Sequence, residues 1–272
     1  MEHDVEIVDA QIHLWQGGGA PQHHRQTPFL VEEALAEMDT AGVDRALNCP
    51  AIWDPRANDY AAEVAAQQPD RIASLGWFPL EGEPAPREVD RLMERPGMLG
   101  LRFVLAMPDL AERLATGDLD WVWERADELE LPVALMVHPA QIPLVGDIAT
   151  RFPATRLVVD HLGVLPFLGL PEAAAHLDTL LKLAQRPNVA VKASGVPSMA
   201  TDLYPFESTH EVLRRTLDAF GPERVFWGSD ITRMPCSWRE CVTAFAEELP
   251  WLAGDDLALV MGRAVRRWVG WL

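Results

Sequence analysis

Three imidazoles and one carboxylate stand out in this sequence by type and neighbourhood: His13, His138, His161 and Asp230. Such groups move protons near neutral pH, and in sets of three or four they also ligate divalent metals. Each follows a short apolar run, as in Val137-His138-Pro139, Val159-Asp160-His161 and Trp227-Gly228-Ser229-Asp230. A lone histidine is most often a hydrogen-bonded core residue. Four groups that each close their own apolar run are what a shared site requires. Gln11 and His13 are two residues apart, so strand alternation points them to one side. Arg102, Lys192 and Arg233 are candidate cations for holding a substrate carboxylate or hydroxyls through charge-assisted hydrogen bonds, and Trp53 is a candidate wall of the pocket. Asn58, Trp77, Tyr204 and His210 are further candidates for lining it, while Asp9 reads as a turn cap. His23 and His24 follow Gly17-Gly18-Gly19 in a loop, where a lid and a solvated connection read equally well.

The elements that must position these groups are legible as an alternation. Strand-like runs fall at 5–10, 46–49, 72–77, 99–104, 133–137, 157–159, 189–193 and 225–227. Several are continuously apolar, as strands buried on both faces should be. Helical patterns separate most of them, at 31–41, 59–68, 87–95, 119–130, 172–185, 211–220 and 238–249. Gly42, Pro69, Pro96 and Pro187 punctuate four of the helix ends. Eight βα units predict a closed (β/α)8 barrel, an α/β TIM-barrel fold with one domain over 1–272. Functional groups in that fold sit at the C-terminal ends of strands, where His13, His138, His161 and Asp230 all fall. The segment 255–269 has no strand after it and is expected to pack as an extra helix on the barrel exterior, anchored by Trp268 and Trp271.

Composition excludes several classes of function. Nearly half the residues are hydrophobic, which supplies a large core, and the formal net charge of −18 opposes binding to nucleic acid or anionic membranes. Cys49, Cys236 and Cys241 are odd in number and lack zinc-knuckle spacing, so structural thiols in a reducing compartment are expected. The acidic start Met1-Glu2-His3-Asp4 reads as no signal peptide, and no apolar run approaches the ~20 residues of a spanning helix. A cytoplasmic location is the expectation. The partner expected is a small-molecule substrate, and a homo-oligomer is compatible with the sequence.

Taken together, several motifs are specific. They are Val8-Asp9-Ala10-Gln11-Ile12-His13-Leu14-Trp15, Gly100-Leu101-Arg102-Phe103, Val137-His138-Pro139, Val159-Asp160-His161-Leu162-Gly163, Val191-Lys192-Ala193-Ser194-Gly195 and Arg224-Val225-Phe226-Trp227-Gly228-Ser229-Asp230. With them the whole chain resembles the amidohydrolase superfamily, and within it the amidohydrolase-2 branch of sugar-lactone and pyrone lactonases and related decarboxylases. The resemblance implies a hydrolase whose strand-one His-x-His pair, strand-five His and strand-eight Asp bind a divalent metal. Here Gln11 replaces the first histidine, and a neutral amide is a poor zinc ligand. His13, His138 and Asp230 remain as metal ligands, so the expectation is one weakly bound divalent metal, zinc foremost, or none. On this reading Gln11→His should raise zinc affinity. Some members of the resembled branch cleave lactones without a metal, with a carboxylate as general base. That assigns Asp230 as base, His13, His138 and His161 as groups that position or polarise the carbonyl, and Arg102, Lys192, Trp53 and Arg233 as substrate contacts.

The resulting expectation is a lactonase or related carboxylic-ester hydrolase acting on a small sugar or aromatic lactone. A non-oxidative decarboxylase of an aromatic or unsaturated acid is the alternative, and a catalytically silent binding protein a second. Loop sequences do not specify which substrate is taken.

Overall fold

A computed structural model describes residues 5–20, 23–165 and 168–271. Eight parallel strands run in sequence order: β1 (Val8–Ile12), β2 (Arg45–Asn48), β3 (Ile72–Gly76), β4 (Met98–Val104), β5 (Pro132–Met136), β6 (Arg156–Val159), β7 (Val189–Ser194) and β8 (Val225–Gly228). β8 returns to β1, where Asp230 N–H donates to the Gln11 carbonyl at 2.8 Å. The chain therefore forms the (β/α)8 barrel that its eight apolar runs predict. At this seam Gly228 lets the two strands approach closely, since a Cβ there would lie 3.1 Å from both N and Cβ of Gln11.

Helices α1 (Val31–Ala41), α2 (Ala57–Gln67), α3 (Pro86–Met93), α4 (Pro108–Thr116), α5 (Asp120–Glu128), α6 (Ile142–Arg151), α7 (Glu172–Ala175), α8 (Leu177–Leu181), α9 (His210–Phe220) and α10 (Trp238–Ala246) surround the barrel. Two of them escape the sequence reading. α4 is short and begins at Pro108, and α6 follows the strand-five histidine after the 3₁₀ turn Pro139–Gln141, with Pro143 in its first turn, where proline is well placed. The 172–185 pattern is broken into α7, α8 and a 3₁₀ turn.

The core has two parts. One lies between the sheet and the helices and includes Ile12, Leu101, Phe103, Leu135, Val159, Val191 and Trp227. The other fills the barrel itself with Ala10, Leu47, Leu75, Ala134, Val158, Ala190 and Phe226, together with Leu259, Val265, Val269 and Trp271. Leu259, Val265 and Val269 belong to a terminal helical run comprising α11 (Gly254–Ala258), a π-helical turn Leu259–Arg263, and α12 (Ala264–Val269), and Trp271 follows it. Within this run Gly262 comes so near the start of β1 that a Cβ would lie 2.5 Å from the Glu6 carbonyl. This corrects the expected exterior position: the segment plugs the N-terminal end of the barrel, because the inward apolar layer there has no other cover. The opposite end is left for polar groups.

Candidate active site

Polar side chains rise above the apolar plug in two layers. The lower holds Arg102, Asp160, Lys192, Gln11 and Cys49, all buried. β1 supplies Gln11 through an irregularity: its pairing with β2 shifts register between Asp9 and Ile12. The shift lets Asp9 reach outward, where it accepts from Trp238 Nε1 (2.8 Å) and from the backbone N–H groups of Gln11 and Ser229 (2.9 Å each). Asp9 is thus a bolt joining β1, the end of β8 and α10, a larger task than a turn cap. Burial pushes its carboxyl up to about 6 despite those donors.

Asp160 lies 2.9 Å from Arg102 Nε and 3.0 Å from Lys192 Nζ. Burial raises its pKa, but Lys192 and then Arg102 outweigh that and hold the carboxyl well below the usual range. Lys192 Nζ also donates to Gln11 Oε1 at 2.7 Å. An ammonium can only donate, so the Gln11 amide must present its oxygen to Lys192 and its nitrogen to His13 Nε2, 3.2 Å away. On the far side of the ring, His13 Nδ1 lies 2.6 Å from the Cys49 carbonyl, an acceptor only, so Nδ1 carries the proton. Both contacts require the same tautomer, with a bare Nε2.

The upper layer is formed by His13, His161, Asp230 and Ser194. His161 and Asp230 both adopt left-handed backbone conformations, φ 51° and φ 55°, that turn the chain sharply out of β6 and β8. Non-glycine residues pay for such a conformation, which clusters at functional sites. Asp230 is fully buried, with Oδ1 3.4 Å from His13 Nε2 and Oδ2 4.0 Å from His161 Nε2 and 3.3 Å from Arg233 Nε. Neither oxygen has a hydrogen-bond partner among the described residues. Burial pushes this carboxyl up, yet His13, His161 and Arg233 together hold it below the ordinary range. His161 Nδ1 meets Ser194 Oγ at 2.9 Å, and burial lowers its pKa to about 4, so the ring is neutral at neutral pH.

The first βα loop contributes a wall. Trp15 and Phe29 pair backbone to backbone at its base. His23 stands 5.5 Å from the His13 ring and 4.8 Å from Trp53, and its Nδ1 meets Thr232 Oγ1 at 2.9 Å. Burial, then His13, lowers its pKa to about 3. Trp53, half-buried, also faces His13 at 5.8 Å. His24 is exposed in a groove against α1. Trp77 and Arg102 line an adjoining cavity of about 310 Å³ with Phe78, Phe103 and Met107.

The structure thus brings together His13, His161, Asp230, Arg233 and Trp53, with Arg102 beneath them. His138 is set apart, on an exposed rim: its Nδ1 accepts from Ala140 N–H at 3.2 Å in the cap of the following turn. That bond puts the ring's proton on Nε2, which makes His138 a donor and not a ligand. Among the described residues no three His, Cys, Asp or Glu side chains are grouped to hold a metal ion. The expected trio of His13, His138 and Asp230 is therefore not assembled. Lys192, expected to touch substrate, is 1% exposed and engaged by Asp160 and Gln11. Asn58 clamps the Trp77 backbone, Tyr204 bonds Thr243 Oγ1, and His210 opens α9; none meets the four central groups. Sequence reasoning gave no role to Asp160 or Ser194, and left His23 between a lid and a solvated loop. Asp160 carried a signal, standing between an apolar run and His161.

A family model described as Amidohydrolase matches residues 8–271. The chain belongs to the amidohydrolase family. This amidohydrolase is 28% identical over 241 residues to an L-fucono-1,5-lactonase of Burkholderia ambifaria, covering 82% of this chain and 79% of that protein. It is 30% identical over 263 residues to an L-fucono-1,5-lactonase of Burkholderia multivorans, covering 87% and 83%. In fold it is similar to a crystal structure of a Burkholderia multivorans amidohydrolase with bound zinc, at TM-score 0.81, 22% identity, and 97% and 99% coverage. The residues present in this amidohydrolase do not fit zinc at the strand-one position. Gln11 turns its nitrogen to the His13 lone pair that a metal would need, and an ammonium occupies its oxygen. No helix among the described residues is long and apolar enough to cross a membrane.

Proposed function

We propose that this amidohydrolase is a lactonase that opens a small sugar-type 1,5-lactone, with Asp230 as general base and no metal in the catalytic step. The observation that carries the reading is Asp230 itself: a buried, ionised carboxylate at the barrel mouth, with both oxygens lacking hydrogen bonds among the described residues. A carboxylate kept ionised and unsatisfied in a polar recess is suited to accept a proton from water. The similarity to two L-fucono-1,5-lactonases supports the substrate class.

Water attacks the lactone carbonyl carbon while Asp230 takes its proton. The tetrahedral oxyanion collapses, the ring C–O bond breaks, and the proton passes to the leaving alkoxide to give the open hydroxy acid. His161 and His13 flank Asp230 and orient the water, and the positive charge of Arg233 favours the oxyanion. Arg102 and Trp53 remain substrate contacts. His138, with Nε2–H as a donor, is assigned to holding substrate from the rim. Lys192 is withdrawn from that set, since its ammonium faces the barrel interior.

The test is proton release from a panel of aldonic 1,5- and 1,4-lactones, L-fucono-1,5-lactone included, with and without chelator, alongside pyrone and aromatic carboxylic acids monitored for CO2. Chelator-resistant turnover of a 1,5-lactone is expected. Release of CO2 from an aromatic acid with no lactone cleaved would overturn the reading in favour of a decarboxylase.

A further inference from the structure

We propose that Lys192 is a positioning residue that locks the Gln11 amide with its nitrogen toward His13, and so keeps a divalent metal off the strand-one pair. A chain of contacts of fixed polarity carries this. Asp160 Oδ1 is 3.0 Å from Lys192 Nζ, Lys192 Nζ is 2.7 Å from Gln11 Oε1, Gln11 Nε2 is 3.2 Å from His13 Nε2, and His13 Nδ1 is 2.6 Å from the Cys49 carbonyl. One end is a carboxylate and the other a backbone carbonyl, both acceptors. Lys192 cannot accept, so no member of the chain can reverse without leaving a buried group facing its own kind. Cys49 reinforces the lock, its thiol also donating to Gln11 Oε1 at 3.2 Å.

The lock acts on metal binding in two ways. The lone pair of His13 Nε2 is engaged by an amide N–H, and a metal must displace that bond. The oxygen of position 11, the only atom there able to ligate, lies 2.7 Å from an ammonium, so a divalent ion bound to it would face a buried positive charge at close range. Lys192 cannot move aside, being 1% exposed and held by Asp160. It follows that restoring a histidine at position 11 is not sufficient, which revises the expectation drawn from that residue alone. The ammonium must go as well.

The experiment compares four full-length proteins, the natural chain, Gln11→His, Lys192→Met and the double variant, for zinc affinity by competition with a chromogenic chelator. Bound cobalt(II) is followed by its visible absorption. Neither readout needs a substrate, so a failure of the lactonase reading leaves the test intact. Gln11→His alone should change zinc affinity by less than about tenfold, while the double variant gains at least about 100-fold, a coupling that a merely structural lysine would not produce. The double variant should also acquire a cobalt spectrum that the natural chain lacks. Gln11→His binding zinc as tightly as the double variant would overturn the proposal, as would stoichiometric, chelator-resistant zinc in the natural chain. Should Lys192→Met fail to fold, Lys192→Gln in the Gln11→His background keeps a donor without the charge. It must then bind zinc more tightly than Gln11→His alone, and equality would count against the lock.

Discussion

Asp160 and Asp230 are both buried carboxylates at the ends of barrel strands, β6 and β8, yet they have different surroundings. Asp160 is held between Arg102 and Lys192 at 2.9 and 3.0 Å. Asp230 faces the His13 and His161 imidazoles and an arginine at 3.3 Å, with no hydrogen bond to either oxygen among the described residues. Both are ionised at neutral pH. The difference teaches that a carboxylate clamped between two cations builds the floor of a site, whereas one that faces imidazoles is left for chemistry. Close pairing with two cations offsets desolvation and fixes neighbours in place. A carboxylate without partners keeps its acceptor capacity for water or substrate.

Charge removal at each position sharpens the contrast most. Asp230→Asn should lower turnover by roughly 10²–10⁴-fold, since a general base is lost, while the melting temperature stays within about 4 °C of the natural protein. Near-native turnover would hand the role of base to a histidine, His161 first. Asp160→Asn should do the reverse and destabilise the fold by about 3–5 kcal/mol, because Arg102 and Lys192 are left buried without their counter-charge. Urea unfolding measures this, and an unchanged midpoint would show that the two carboxylates are not so different.

Smaller effects are expected where the two regions are joined. Trp238→Phe removes the indole donor to Asp9 Oδ2 and should cost about 1–3 kcal/mol, with activity falling less than in Asp230→Asn. A thermal melt and kinetics on the same preparation compare the two losses. Acid should act gradually. His23 and His161 have folded pKa values of about 3 and about 4, against 6.5 when unconstrained. The unfolded chain then binds more protons below pH 6.5, so their contribution is complete above that value and is lost as pH falls toward 4. Asp9, raised from 3.8 to about 6, works in the opposite sense, its share being present at low pH and lost as pH rises through 6. Two groups against one should make the melting temperature decline from pH 7 to 4.5. A flat profile would mean that the imidazoles take up protons freely in the folded protein.

Much of this was legible in the sequence, for a local reason. Eight apolar runs separated by helical patterns require a barrel, and the ends of those runs locate His13, His138, His161 and Asp230, because strand periodicity and turn chemistry act within a few residues. The substitution at Gln11 was visible in the same way. What the tertiary structure alone decided is who meets whom. Lys192 and Gln11 are 181 residues apart, and Arg102 and Asp160 are 58 apart. Their meeting depends on register around the closed sheet and on the shift in β1, neither of which has a local pattern. The same applies to His138, which ends its strand as expected but is drawn to the rim by the cap of the next turn. It applies again to the terminal helix, whose apolar face says only that it must be covered, while the open end of the barrel determines where.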